Sequence, residues 1–391
     1  MKDFLKKYGD KALFVLALVF LAAALFRREA WQPAETPGIV FTQWWEGDLD
    51  KDTLRVLADE FEALHSGIKV TINYRAYEDL RRDIFSSGET PPPGDLIALD
   101  PLWAPELLGM EIIEEDITFL SFIDVLYYNV DILKSAGFSR PPKNRSEFLD
   151  YARTLAGRKE ILPGYVLGLA LGENSTRGIY DDIFPWIWAT GIRLINDGSP
   201  VVNSRQVVES LAFLAALNSE GLIAPDAFRA DAARKLEHFI TGEVAFMIAP
   251  TLYIAQVRER MGDEAFGITS VPGPDNYFGR PFFAAPGWAF AVHSESQRKE
   301  EARLFAEFLA GKAAAFPEQT GAVPGNGFSP TRDPFYSKVW DIAITGESAR
   351  DFAGLPWTEM EAVFREELIS LFAGSTSPAQ AAAAIQERWG K

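Results

Sequence analysis

The chain has no cysteine among its 391 residues. That excludes disulfides, thiolate metal sites, thiol catalysis and a lipid-bearing cysteine behind a signal peptide. Histidine is almost as scarce. His65, His238 and His293 are far apart and none has an i, i+4 partner, so no zinc site and no other metal is expected. No G-x-G-x-x-G, P-loop, G-x-S-x-G or H-E-x-x-H occurs. The familiar dinucleotide, nucleotide, hydrolase and metalloprotease sites therefore have no sequence support, and no cofactor is expected. Positive charge is also in short supply: 38 Lys and Arg face 55 Asp and Glu, for a net charge of −17. Without the first thirty residues the balance is 32 to 52, or −20. Such a surface repels phosphate backbones, so nucleic acid is not expected as a partner.

Long apolar runs are missing too, except at the start. Lys2, Lys6, Lys7 and Lys11 precede the apolar stretch Ala12 to Phe26, and Arg27-Arg28 follow it. Fifteen apolar residues between basic flanks read as a secretory signal or a short signal anchor. Ala22 and Ala24 form an A-x-A pattern inside the apolar run with no polar region before it. An uncleaved helix, with the rest of the chain outside the cytoplasmic membrane, is therefore expected over a released protein. Trp31 to Gly38, with Pro33 and Pro37, reads as a tether.

A chain of this length calls for two lobes of roughly 150–200 residues each. Short apolar runs alternate with amphipathic helices after the tether. Residues 38–45 are strand-like, residues 51–65 carry Leu54, Leu57, Phe61 and Leu64 at helical spacing, and residues 68–74 are again strand-like. A second helix over 77–88 and a buried strand over 95–100 complete a β-α-β-α-β order, which implies a parallel sheet with ligands beyond its carboxyl edge. By that rule Gln43–Glu46, Tyr74 and Asp100–Trp103 converge. Ile117 to Asn129 reads as one long strand, and Asn144 or Ser146 as the cap of a helix near Glu147. Pairs such as Glu114-Glu115, Asp181-Asp182 and Glu366-Glu367 arise by chance in a chain this acidic. They do not establish the fixed carboxyl separation that glycoside hydrolysis needs.

Five blocks, taken in order, resemble the maltose-binding-like extracellular solute-binding proteins of ABC importers, family 1. The first is "FTQWWEGDLDKDTLRVLADEFEALHSGIKVTINY", and the most specific is "VLYYNVDILKSAGFSRPPKNRSEFLDYARTLA". "FITGEVAFMIAPTLYI", "FGITSVPGP" and "GWAFAVHSESQRKEEARLFAEFLAG" follow, so that the match runs from Ile39 to about Gly311. The resemblance implies an α/β fold of the two-lobed periplasmic-binding-protein type (type II). Lobe 1 would take residues 38–120 and 286–329, and lobe 2 residues 130–284 and 330–391, with hinge crossings at 121–129 and 282–292. It further implies a monomer without enzymatic activity that traps a small molecule, a sugar above all, and presents it to ABC permease subunits on the periplasmic or extracellular face of the membrane. Two departures stand out. Only Pro101 to Val125 fill a space of about forty residues in the family, and Pro250-Thr251-Leu252 replaces its Gly-Trp. A sensor or protein-interaction partner built on the same fold, and a carbohydrate-active enzyme, are the alternatives.

A sugar cleft needs aromatic faces for C–H surfaces and planar polar groups for hydroxyls. Carried over by position, the candidates are Trp44, Glu46, Asp100, Trp103, Tyr180, Asp181, Trp186, Trp188, Tyr253, Trp288 and Trp357. Core packing is the competing reading for each aromatic. Alternation turns Trp45 to the face opposite Trp44, and so into the core.

Overall fold

The computed structural model describes residues 38–45, 49, 51–86, 93–173, 175, 177–196, 199–284, 287–316, 320–322, 333–349 and 357–389. The apolar stretch expected as a signal or anchor, its tether up to Pro37 and Glu46 lie outside the described residues, while Gly38 already opens the first strand. Among the described residues no helix is long and apolar enough to cross a membrane.

The chain opens as the alternation predicts: β1 (Gly38–Gln43), α1 (Lys51–Leu64), β2 (Lys69–Tyr74), α2 (Tyr77–Phe85) and β3 (Leu96–Leu99). β1 pairs in parallel with both β2 and β3. On α1, Leu54, Leu57, Ala58 and Phe61 form the buried stripe. Leu64, which continues the spacing, is exposed because the helix ends there. After α3 (Ala104–Gly109) comes β4 (Ile113–Ser121).

The run expected as one strand then breaks at Phe122-Ile123. Its second half, β5 (Asp124–Asn129), leaves the first sheet and hydrogen-bonds in another. α4 (Val130–Ser135) and α5 (Arg145–Ala156) follow, each capped by an asparagine: Asn129 Oδ1 accepts from Ile132 N at 3.0 Å, and Asn144 Oδ1 accepts from Glu147 N at 2.9 Å. Next come β6 (Leu167–Gly168), a π-helical turn (Ile179–Ile183), α6 (Phe184–Trp188), the small hairpin β7 (Ile195–Asn196) and β8 (Ser199–Pro200), and α7 (Arg205–Ser219). α8 (Ala232–Ile240), β9 (Phe246–Pro250), α9 (Ile254–Met261) and β10 (Phe266–Thr269) complete a four-stranded sheet in the order β10-β5-β9-β6.

β11 (Phe282–Ala284) leads back, and β12 (Gly287–His293) inserts antiparallel between β3 and β4. The first sheet therefore runs β2-β1-β3-β12-β4. α10 (Lys299–Gly311) covers one face of it; after α11 (Pro334–Thr345), β13 (Glu347–Ala349) pairs with β11. The last helices, α12 (Trp357–Phe372) and α13 (Pro378–Trp389), pack on the second sheet's core through Phe364, Leu368, Ala382 and Ile385.

Strand alternation builds both faces of the first sheet. Trp288, Phe290 and Val292 of β12 join Phe41, Trp45, Phe61 and Phe305 on one side, while Ala289 and Ala291 join Leu80, Leu99 and Trp103 on the other. The two sheets are linked by short crossings after β4 and before β12. A cleft of about 370 Å³ opens between the lobes beside them.

Candidate functional site

The first lobe's wall of this cleft comes from the carboxyl ends of its parallel strands. Trp44 follows β1 and is half-buried. Its ring meets Tyr77 edge-on at 5.2 Å and leans on Trp103 at 5.5 Å. Asp100 follows β3 and is 3% exposed. One of its oxygens accepts from Leu102 N at 2.9 Å, and the other from the Tyr77 hydroxyl at 2.8 Å. Burial, and next the charge of Asp100, push the Tyr77 phenol well above its ordinary range. Trp288 closes the floor, stacked on Trp45 at 4.8 Å with Phe122 against its edge.

The second lobe answers with the loop before the π-helical turn. Arg177 reaches across and donates to Asp100 Oδ2 at 2.5 Å. It also grips Asp181 through Nε at 3.2 Å and Nη2 at 3.0 Å, over the ring of Tyr180. Burial lowers its pKa, but Asp100 and Asp181 more than offset this and hold the guanidinium well above its ordinary value. Gly178 lets this loop pass close to Ala170, whose carbonyl oxygen would lie 2.1 Å from any Cβ there. Arg365 of α12 pins the same loop, donating to the carbonyls of Gly172 at 2.6 Å and Ser175 at 2.7 Å. Arg365 also pairs with Glu361 at 2.7 Å. Burial pushes the Glu361 carboxyl up to about 7, against the pull of Arg365.

The π-helical turn sends neighbouring carboxylates different ways. Asp181 meets Arg177 at the cleft, while Asp182 is fully buried and accepts from Lys235 Nζ and Ala170 N, each at 2.6 Å. Pro250, at the end of β9, and Leu252 and Tyr253 just beyond it also line the cleft.

Of the residues expected from sequence, Trp44, Asp100, Asp181, Tyr253 and Trp288 line the cleft. Trp103, Tyr180, Trp186 and Trp188 do not. Trp103 is 3% exposed and packs behind Trp44 and Tyr77. Every residue of α6 is buried, so Trp186 is held by Phe148 and Phe213, and Trp188 by Phe184 and Tyr180. Glu46 lies outside the described residues, and so does the side chain of Trp357. Tyr77, Arg177 and Lys235 escaped the sequence reading. Arg177 did leave a trace, since it stands four residues before Asp181 at ion-pair spacing. Among the described residues no group of three or more His, Asp or Glu could hold a metal ion.

Below the cleft, Asp124 opens β5 just past the first crossing. It is 2% exposed, and neither carboxylate oxygen has a hydrogen-bond partner among the described residues. Burial, and next the charge of Asp181, push its carboxyl well above the usual range against the pull of Arg177 and Lys235. A raised folded-state value means that the unfolded chain ionises first as pH rises past about 4. Stability then falls by about 1.4 kcal/mol per pH unit until the folded-state value is reached. Asp124→Asn removes this slope. Urea unfolding at pH 4 and pH 7 is expected to show the variant gaining on wild type as pH rises; parallel behaviour at both pH values contradicts the assignment.

The chain matches the family described as bacterial extracellular solute-binding protein over residues 47–316, well over half its length. Among its relatives, a probable ABC transporter-binding protein of Deinococcus radiodurans is 28% identical over 280 residues, covering 66% of this chain and 64% of the relative. The sn-glycerol-3-phosphate-binding periplasmic protein UgpB of Salmonella paratyphi A is 26% identical over 294 residues, covering 69% and 65%. The matches thus span just under two thirds of these curated relatives. Solved structures share the fold, two of them as follows. One is a putative oligosaccharide periplasmic-binding protein of Synechococcus sp. MITs9220, with TM-score 0.73, 16% identity and coverage of 90% and 98%. The other is maltose-bound MalE3 of T. maritima, with TM-score 0.71, 19% identity and the same coverage. With two α/β lobes around a lined cleft and a family match of this extent, the chain belongs to the bacterial extracellular solute-binding proteins.

Proposed function

We propose that this protein captures a carbohydrate in the inter-lobe cleft and delivers it to ABC permease subunits, without covalent chemistry. The observation that carries the reading is the pairing of aromatic faces with a planar polar network in one cleft. Trp44 and Tyr253, both half-buried, offer surfaces for the C–H faces of a sugar ring over the edge of Trp288 at the floor, and the Asp100–Arg177–Asp181 array offers donors and acceptors for its hydroxyls. The cleft volume of about 370 Å³ falls within the range of roughly 300–1,000 Å³ usual for small-molecule sites. Arg177 and Asp100 come from opposite lobes and already meet across the cleft, so a ligand whose hydroxyls bond to this array from the side would hold the lobes in this arrangement, and release would open it by bending at the crossings after β4 and before β12. The relatives named for ABC transport and for oligosaccharide or maltose support the same reading. The basic-flanked apolar run Ala12 to Phe26 would tether the protein to the outer face of the cytoplasmic membrane.

Titration with mono- and oligosaccharides tests this reading through tryptophan fluorescence, because Trp44 and Trp288 both border the cleft. A saturable spectral change with at least one uncharged saccharide is expected, lost in Arg177→Gln. Absence of any response across the panel, alongside a stable complex with another protein, would instead support a sensory or partner-binding role.

A further inference from the structure

We propose that the cleft accepts an uncharged saccharide and excludes phosphate esters and other anions. This rests on the carbohydrate reading above and narrows it. It also separates this chain from the relatives named for a phosphorylated polyol.

The described lining of the cleft carries five carboxylates, Glu78, Asp100, Asp181, Asp182 and Asp231, and two cations, Arg177 and Lys235. Binding a phosphate needs a guanidinium fork, an ammonium group or an open helix N-terminus. Each of these is present, and each is already committed to a carboxylate. The Nε, Nη1 and Nη2 atoms of Arg177 all donate to Asp100 or Asp181, so one positive charge is shared by two negative ones. Lys235 is 2% exposed, and its ammonium group is taken by Asp182 at 2.6 Å and the Ile248 carbonyl at 2.7 Å. The helix N-terminus at the cleft is that of α8, whose first two residues, Ala232 and Ala233, line the wall. Asp231 caps it, accepting from Arg234 N at 2.8 Å, and so puts a carboxylate where an anion would sit. An arriving phosphate therefore meets an excess of like charge in a partly desolvated site. A hydroxyl meets acceptors and a guanidinium plane that it can bridge without adding charge.

Like charges set against each other at a binding site weaken association by at least about a hundredfold. Calorimetric titration of the full chain with sn-glycerol 3-phosphate, glucose 6-phosphate and inorganic phosphate is expected to give no binding. In Asp100→Asn/Asp181→Asn the guanidinium loses both neutralising charges, and inorganic phosphate is expected to bind at least about a hundredfold more tightly than to wild type. Should the double variant fail to fold, Asp181→Asn alone removes one neutralising charge and one of the two acceptor oxygens on the Nε and Nη2 donors, and is expected to gain in the same direction. Wild-type binding of any of the three phosphates that Arg177→Gln abolishes overturns the proposal. So does a folded variant that gains no affinity for phosphate. The carbohydrate reading fails separately, if no uncharged saccharide binds. A chain that binds maltose and glucose 6-phosphate equally well would sink only the exclusion of anions.

Discussion

Lys235→Met is expected to cost the folded state about 3–5 kcal/mol, the range for removing one partner of a buried ion pair. Lys235 is 2% exposed and Asp182 is fully buried, and their charged atoms lie 2.6 Å apart. The loss comes from Asp182 rather than from the missing attraction. Once the ammonium is gone, a dehydrated carboxylate retains only the Ala170 amide as a donor among the described residues. Burial already raises the Asp182 carboxyl against the opposing pull of Lys235, so without the lysine it moves further up. The deficit should accordingly shrink as the pH falls and Asp182 takes up a proton. Adding Asp182→Asn to Lys235→Met removes the stranded charge and is expected to recover a large share of the stability. Urea unfolding of the two variants and wild type decides the matter, and a deficit below about 1 kcal/mol for Lys235→Met contradicts it.

Trp45→Ala and Trp44→Ala are expected to fail in different ways. Trp45 is fully buried, stacks on Trp288 at 4.8 Å and touches Phe41, Phe119 and Phe290. Its removal should destabilise the first lobe by about 3–5 kcal/mol. Trp44 is half-buried and borders the cleft, where loss of an aromatic face should weaken saccharide binding by about tenfold or more. Unfolding and titration of the two variants separate these roles. Equal destabilisation with unchanged affinity would reassign Trp44 to the core.

The adjacency of these two tryptophans also marks what was legible in the sequence. The period-2 argument that turned Trp45 inward needed only the chain's local geometry, and so did the parallel order of β1, β2 and β3. Asp100 was readable for the same reason, because a strand's carboxyl end in a parallel sheet is a fixed location. Trp186 and Trp188 were misread because an aromatic cluster has one composition whether it lines a cleft or fills a core; what decides is that α6 is buried on every side. Lys235 could not be recognised at all. It stands 53 residues from Asp182, and they meet because α8 and the π-helical turn both pack on β9. The break at Phe122-Ile123 was hidden for a related reason. Both halves of the run are strands, and the transfer between sheets leaves no mark in hydropathy.

That transfer bears on the order in which the molecule can assemble. The first sheet awaits β12, which is made only after the whole second sheet has been made. The core of the second lobe in turn awaits α12 and α13 at the far end of the chain. The first lobe can close only once β12 and the core residues up to Ala322 are made, and the second only once α12 and α13 are; both depend on contacts between residues far apart in sequence. Such long-range closure makes folding slow. Completion of the second lobe is thus tied to α12 and α13, and no core is finished until β12 and α10 have joined the first lobe.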